Sequence, residues 1–124
     1  MTMRTNDLKL LVQTKLKTVA TNVYHEIAKE NALYPHVVFQ FRRIDLSDLS
    51  RQDYILEVDV WDKRESSTTV DNLTDSIENL LQAENLPQDH VLPTFYLMDR
   101  ATIPDEDKEI KHRRIQFQIQ NYER

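Results

Sequence analysis

Not one of the 124 residues is glycine. Glycine alone takes positive φ without steric penalty, so this chain must build every turn from residues that resist the left-handed region. Two-residue hairpin turns favour Asn-Gly or Gly-X and are disfavoured here; longer polar loops are expected between strands. The same omission removes the backbone cradles that approach phosphates in P-loops and dinucleotide-binding turns. Nucleotide-cofactor enzymes are excluded in their standard forms.

The chain's central stretch runs from Tyr34 to Asp62. Val37, Phe39 and Phe41 alternate with polar neighbours, and after a polar segment Leu56, Val58 and Val60 do the same. Two alternating runs joined by a Ser/Asp-rich segment predict a β-hairpin. Pairing residues whose numbers sum to 99 sets Phe41 beside Val58 and Phe39 beside Val60. The opposite face then pairs Arg42 with Glu57, Gln40 with Asp59 and Val38 with Trp61. The segment 45–52 holds Leu46 and Leu49 and is expected to be a long loop, with Leu46 and Leu49 either folded back on the domain or open to a partner.

Helical spacing marks two further segments. Over 6–19, Leu8, Leu11, Val12, Leu16 and Val19 fall on one face, with Thr5 or Asn6 as cap and Lys9, Lys15 and Lys17 off it. Over 68–84, Val70, Leu73, Ile77, Leu80 and Leu81 make the stripe while Asp71, Asp75 and Glu78 stay outside. Thr68 with Asp71 is expected to form a capping box, Asn85 to cap the C-terminus and Pro87 to prevent continuation. Between helix and hairpin, 20–33 is a connection containing a short extended piece at Val23-Tyr24.

The last third predicts a second hairpin, Leu92–Ala101 with Ile110–Tyr122. A pairing sum of 212 sets Ile115, Phe117 and Ile119 against Leu97, Phe95 and Pro93, and Asp99 against Arg113. Its tip, Pro104 to Lys108, is expected to project. The element order α-β-β-α-β-β predicts an α+β fold of one domain, residues 1–124. Two helices cover one face of a four-stranded, mainly antiparallel sheet. The other face carries Val38, Gln40, Arg42, Ile55, Glu57, Asp59 and Trp61, a mixture suited to protein contact.

Charge and chemistry narrow the function. The net charge of −5 divides into +3 over residues 1–20, −9 over 21–99 and +1 over 100–124. An acidic middle argues against a broad duplex-binding surface. With no cysteine, disulfides, thiolate nucleophiles and Cys-based zinc sites are out, and a reducing compartment fits. No run approaches the roughly 18 apolar residues of a membrane span. His25, His36, His90 and His112 lack metal-ligand spacing and are expected at the surface or at strand ends. Glu57 and Asp59 share a strand face, but no third ligand or nucleophile accompanies them, so an ion pair outweighs a metal hydrolase. No catalytic residue, metal or cofactor is assigned.

In its N-terminal helix, Val23-Tyr24, Tyr34-Pro35-His36-Val37-Val38, and Glu57-Val58-Asp59-Val60-Trp61-Asp62 followed at once by a helix, the chain resembles a phage family. This is the tail-terminator, or tail-completion, family of long non-contractile-tailed bacteriophages and prophages, also called tail-to-head joining or minor capsid proteins. The resemblance implies a non-enzymatic virion protein, assembled in the bacterial host cytoplasm. It implies a homo-oligomeric ring, a hexamer, that caps the tail tube and joins it to the head-completion or connector protein, with DNA passing through unread. Ring or partner contacts are assigned to Arg42, Leu46, Leu49, Arg51, Glu57, Asp59, Trp61, Ile103, Asp105, Glu106 and Asp107. The alternative is a small non-enzymatic α+β adaptor or nucleic-acid-binding module, monomeric or dimeric, acting on acidic or nucleic-acid ligands through the basic N-terminal helix with Lys9, Lys15 and Lys17.

Overall fold

The computed structural model describes residues 4–44, 51–82 and 91–123. In chain order the elements are α1 (Arg4–Leu16), β1 (Val23–His25), β2 (His36–Ile44), β3 (Arg51–Lys63), α2 (Thr68–Leu81), β4 (Val91–Ile103) and β5 (Ile110–Glu123). The fold is α+β, with two helices and a mixed sheet of order β1-β2-β3-β5-β4. Among the described residues the sheet has five strands, not the expected four. The fifth is the Val23-Tyr24 piece, which runs parallel to β2 with Val23 opposite Val37. A three-residue strand is too short to show period-2 alternation, so its pairing was invisible in the sequence.

The antiparallel strands follow hydrophobic alternation. Val37, Phe39, Leu56, Val58, Val60, Ile115, Phe117 and Ile119 point to one face and are fully buried. Leu8, Leu11, Val12 and Leu16 of α1, with Val70, Ile77 and Leu81 of α2, cover that face and join the same core cluster. Phe95 and Phe117 meet edge to face, with ring centroids 6.5 Å apart. In such a core a Phe→Ala cavity costs about 3–5 kcal/mol, a large part of a small domain's stability.

The proposed registers are both off by two residues. In β2–β3, Phe41 faces Leu56 and Phe39 faces Val58, so Arg42 lies opposite Ile55 rather than Glu57. In β4–β5, Leu97 faces Phe117 and Phe95 faces Ile119. A slip of two leaves every side chain on its own face, so alternation cannot detect it. The second hairpin also carries a bulge between Leu97 and Asp99 that leaves Met98 out of register. Beyond the bulge the phase reverses: Asp99 faces Gln116 and Arg113 faces Thr102.

That reversal turns Arg100 toward α2, where Nη1 donates to Asp75 Oδ1 at 2.6 Å and Glu78 Oε1 at 3.1 Å. Arg113 Nε donates to Asp71 Oδ1 at 2.7 Å. The three acids expected to stay outside the helix stripe therefore tie α2 to the sheet. Asp71 is thus committed to Arg113, and the expected capping box is not made: Ser67 is the N-cap, without a side-chain bond. The Thr68 N–H is instead met by Ser66 Oγ at 3.1 Å. Helix α1 begins at Arg4, ahead of the caps proposed at Thr5 and Asn6, and ends at Leu16. Asn85, Pro87, His90, Leu46 and Leu49 lie outside the described residues.

Glu26, just after β1, takes φ 68°. A left-handed L-residue costs roughly 1–2 kcal/mol, and a β-branched one more. Glu26→Val is expected to lower stability by about 1–2 kcal/mol in urea denaturation. Glu26→Gly should remain within about 0.5 kcal/mol of the parent, because lost strain and added unfolded-state freedom offset each other.

Candidate functional site

The helices leave one face of the sheet uncovered. Across β2, β3 and β5 this face is laid with long polar side chains, because strand positions of one parity on each strand share it. Asp59 faces Arg114, Glu57 faces Gln116, Ile55 faces Gln118 and Trp61 faces His112. Glu57 accepts from Gln40 Nε2 at 2.8 Å and from Gln116 Nε2 at 3.2 Å. Arg114 Nε donates to Asp59 Oδ1 at 2.9 Å and lies 3.6 Å from Glu57 Oε1. Gln118 Nε2 donates to Asp53 Oδ2 at 2.9 Å. The result is a laced polar layer.

Asp59 and His112 form a buried pair within it, at 2.7 Å between Oδ1 and Nε2. The His112 ring stacks on Trp61 with centroids 3.6 Å apart and 17° between planes. Trp61 also lies over His36, which meets Tyr34 and Tyr24 in turn. Burial opposes ionisation of Asp59, but hydrogen bonds from His112 and Arg114, with their charges, outweigh it and hold the carboxyl below its ordinary value. The Asp59 bond, aided by Glu57 and opposed by burial, raises Arg114 above the usual guanidinium value. Desolvation lowers His36, and its bond to the Leu33 carbonyl works the other way. His36 and His112 do stand near strand starts, but they are buried rather than surface residues.

The assigned contact residues among those described are spread over this face and both ends of the sheet. Arg42 is exposed near the end of β2, and Trp61 is half-buried beside His112. Both Glu57 oxygens and Asp59 Oδ1 are bonded within the layer, so these acids shape the surface rather than project from it. Ile103 ends β4, and Asp105, Glu106 and Asp107 are exposed at the β4–β5 tip. Arg51 opens β3 at the opposite end of the sheet from that tip. The structure therefore does not gather these positions into one patch. Arg114, Gln116, Gln118 and His112 were missed as members of the face. Their signal was present in the alternation of Arg114, Gln116 and Gln118 against Asp53, Glu57 and Asp59, but reading it requires the β3–β5 pairing.

Among the described residues no group of three or more His, Asp or Glu side chains is placed to hold a metal ion. No described helix is long and apolar enough to cross a membrane. A concavity of about 520 Å³ lies on the helix side, between the segment that follows α1, the segment before β2 and α2. Polar side chains laced across one face and an apolar-walled groove on the other are the kinds of surface found at protein contacts.

Comparison with known proteins places it more narrowly. The family model described as "Tail completion protein gp17" matches residues 9–120, and the chain belongs to that family. It is a structural, non-enzymatic phage tail protein concerned with tail completion and head–tail joining. No curated protein sequence matches. A chain of a solved "Virion of native gene transfer agent (GTA) particle" superposes with TM-score 0.78 at 11% identity, covering 95% of this chain and 96% of its own. A second solved structure, described without a function, gives TM-score 0.73 at 9% identity, covering 96% and 93%. At these identities the fold is what is shared.

Asp59→Asn is expected to cost roughly 1.5–3 kcal/mol at pH 7, within the range for bonds to a charged group. The part owed to Arg114 is reduced by that residue's exposure to solvent. Because the folded value is depressed, the contribution is complete above the unfolded value of 3.8 and is lost as pH falls through the folded one. Parent and variant denaturation curves should converge in strong acid. His36 is also depressed, so stability should begin to fall as pH drops below 6.5, where the unfolded chain takes up the proton first. In His36→Asn that part of the slope should flatten.

Proposed function

We propose that this chain caps the completed tail tube, stops its growth and joins it to the head-completion or connector protein, acting as one domain in a six-membered ring. The observation that carries the reading is the family match over residues 9–120. Supporting it is a sheet whose open face is a laced polar layer in which Asp53, Glu57 and Asp59 each accept from a neighbouring strand. Such a layer can meet another protein with its carboxylates already paired. DNA would pass the ring unread, since neither the acidic centre of the chain nor the laced face offers a continuous basic track. Assembly would take place in the cytoplasm of the bacterial host, before the tail meets the head.

In this reading the tip at Asp105, Glu106 and Asp107, and the opposite end at Arg42 and Arg51, serve the tube and connector contacts, with Leu46 and Leu49 between them in the chain. The nucleic-acid adaptor alternative has no structural observation in its favour; its three lysines lie along α1 and the turn after it, Lys9 and Lys15 half-buried. Deletion of the gene from the producing phage or prophage tests the proposal. Electron microscopy should then find tails of irregular length and heads without tails, with both defects cured by the supplied protein. Joined particles with tails of normal length in the deletion strain would contradict it.

A further inference from the structure

The large apolar side chains exposed among the described residues are sorted by sheet edge. Ile27, Leu33 and Tyr34 lie in the segment from β1 to β2, and Tyr96 and Met98 lie on β4. β1 and β4 are the two edges of the sheet. Leu10, on α1, is the remaining one. A solvated surface scatters such residues singly, whereas paired edge patches mark contact sites.

The two edges differ in shape. Beside β1 is the groove of about 520 Å³, with Val19, Leu33, Tyr34, Pro35 and Leu73 in its walls. Asn22 braces it: Nδ2 donates to the Pro35 carbonyl at 3.2 Å and the Leu33 carbonyl at 3.4 Å. The Val37 N–H donates to the Asn22 carbonyl at 2.8 Å. On β4, the bulge leaves Met98 outside the ladder with 49% of its surface exposed, next to exposed Asp99.

Charge follows the same division. Residues 9–22, which run into the groove wall, hold Lys9, Lys15 and Lys17 and no acid. Residues 99–109 hold five acids against two bases, and one of those bases, Arg100, is already bound to Asp75 and Glu78. A knob and a groove at different places on one molecule build a head-to-tail contact, which closes into a ring when the rotation allows.

We propose that the β4 edge at Tyr96–Asp99 of one copy seats in the groove between the segment after α1, Leu33–Pro35 and α2 of the next copy. Met98 and Tyr96 meet the apolar walls, and Asp99 meets Lys15 and Lys17. The inference rests on the ring reading above and adds which surfaces meet. Tyr96 stands on the open face while the groove lies on the helix side, so neighbouring copies are staggered by about one layer.

The chain has no cysteine, so probes can be placed singly. With a short bis-maleimide, the double variant Met98→Cys/Leu33→Cys should give a ladder of covalent multimers. An equal mixture of the two single variants should stop at dimers, and each alone should stay unlinked. In parallel, Asp99→Lys and Lys17→Glu should each raise the concentration needed for assembly about tenfold, equivalent to 1.4 kcal/mol, with recovery in the double variant. Unchanged circular dichroism would show that the fold is kept. Rings that form without a link between positions 98 and 33 overturn this pairing but leave the ring standing. A protein that stays monomeric and unlinked at every concentration ends both. Asp99→Lys rings that are intact but no longer hold tail tubes would assign the edge to the tube protein and overturn the self-contact.

Discussion

The antiparallel pairing of β3 with β5 is the interaction on which the rest of the structure depends. It joins residues 47 to 71 positions apart, from Lys63 opposite Ile110 to Arg51 opposite Tyr122. Such a ladder must overcome a large closure entropy before it returns any contact energy. Both faces supply that return. On the inner face Leu56, Val58, Phe117 and Ile115 bury their side chains under the helices. On the outer face Asp59 binds His112 and Arg114, and Glu57 binds Gln116. Once these strands are joined, β2 and β4 attach as hairpin partners, one on each side.

The outer layer also explains why the uncovered face stays polar without being loosely solvated. Each acid in it is met by a donor from the neighbouring strand, and the Trp61–His112–His36 stack closes one end. A satisfied network of this kind fixes register, because a slip of even two residues would part Asp59 from Arg114. Hydrophobic alternation cannot give that discrimination, and polar pairing can.

Much of the architecture was legible for simple reasons. Both helices, four of the strands and the inward residues follow from periods of 3.6 and 2, which no tertiary effect overrode. What was hidden depends on contacts between distant segments. The parallel strand Val23–His25 has too few residues to declare itself. The register of each hairpin was drawn toward an attractive charge pair, Arg42 with Glu57 and Asp99 with Arg113, whereas the arginines that bind acids across the fold are Arg100, Arg113 and Arg114. The bulge at Met98 has no glycine to announce it. Family membership was legible in the order of elements and a few short motifs, but the face that the family's fold presents came into view only through β3–β5 pairing.

In the proposed role this fold stands where the tail meets the head, and cryo-electron microscopy of intact particles from the producing strain can see it there. A ring of density is expected at the proximal end of the tail tube, with each subunit fitted by the five-stranded sheet and its two helices. Particles whose head–tail junction is filled by other folds, with this protein elsewhere or missing, would contradict it.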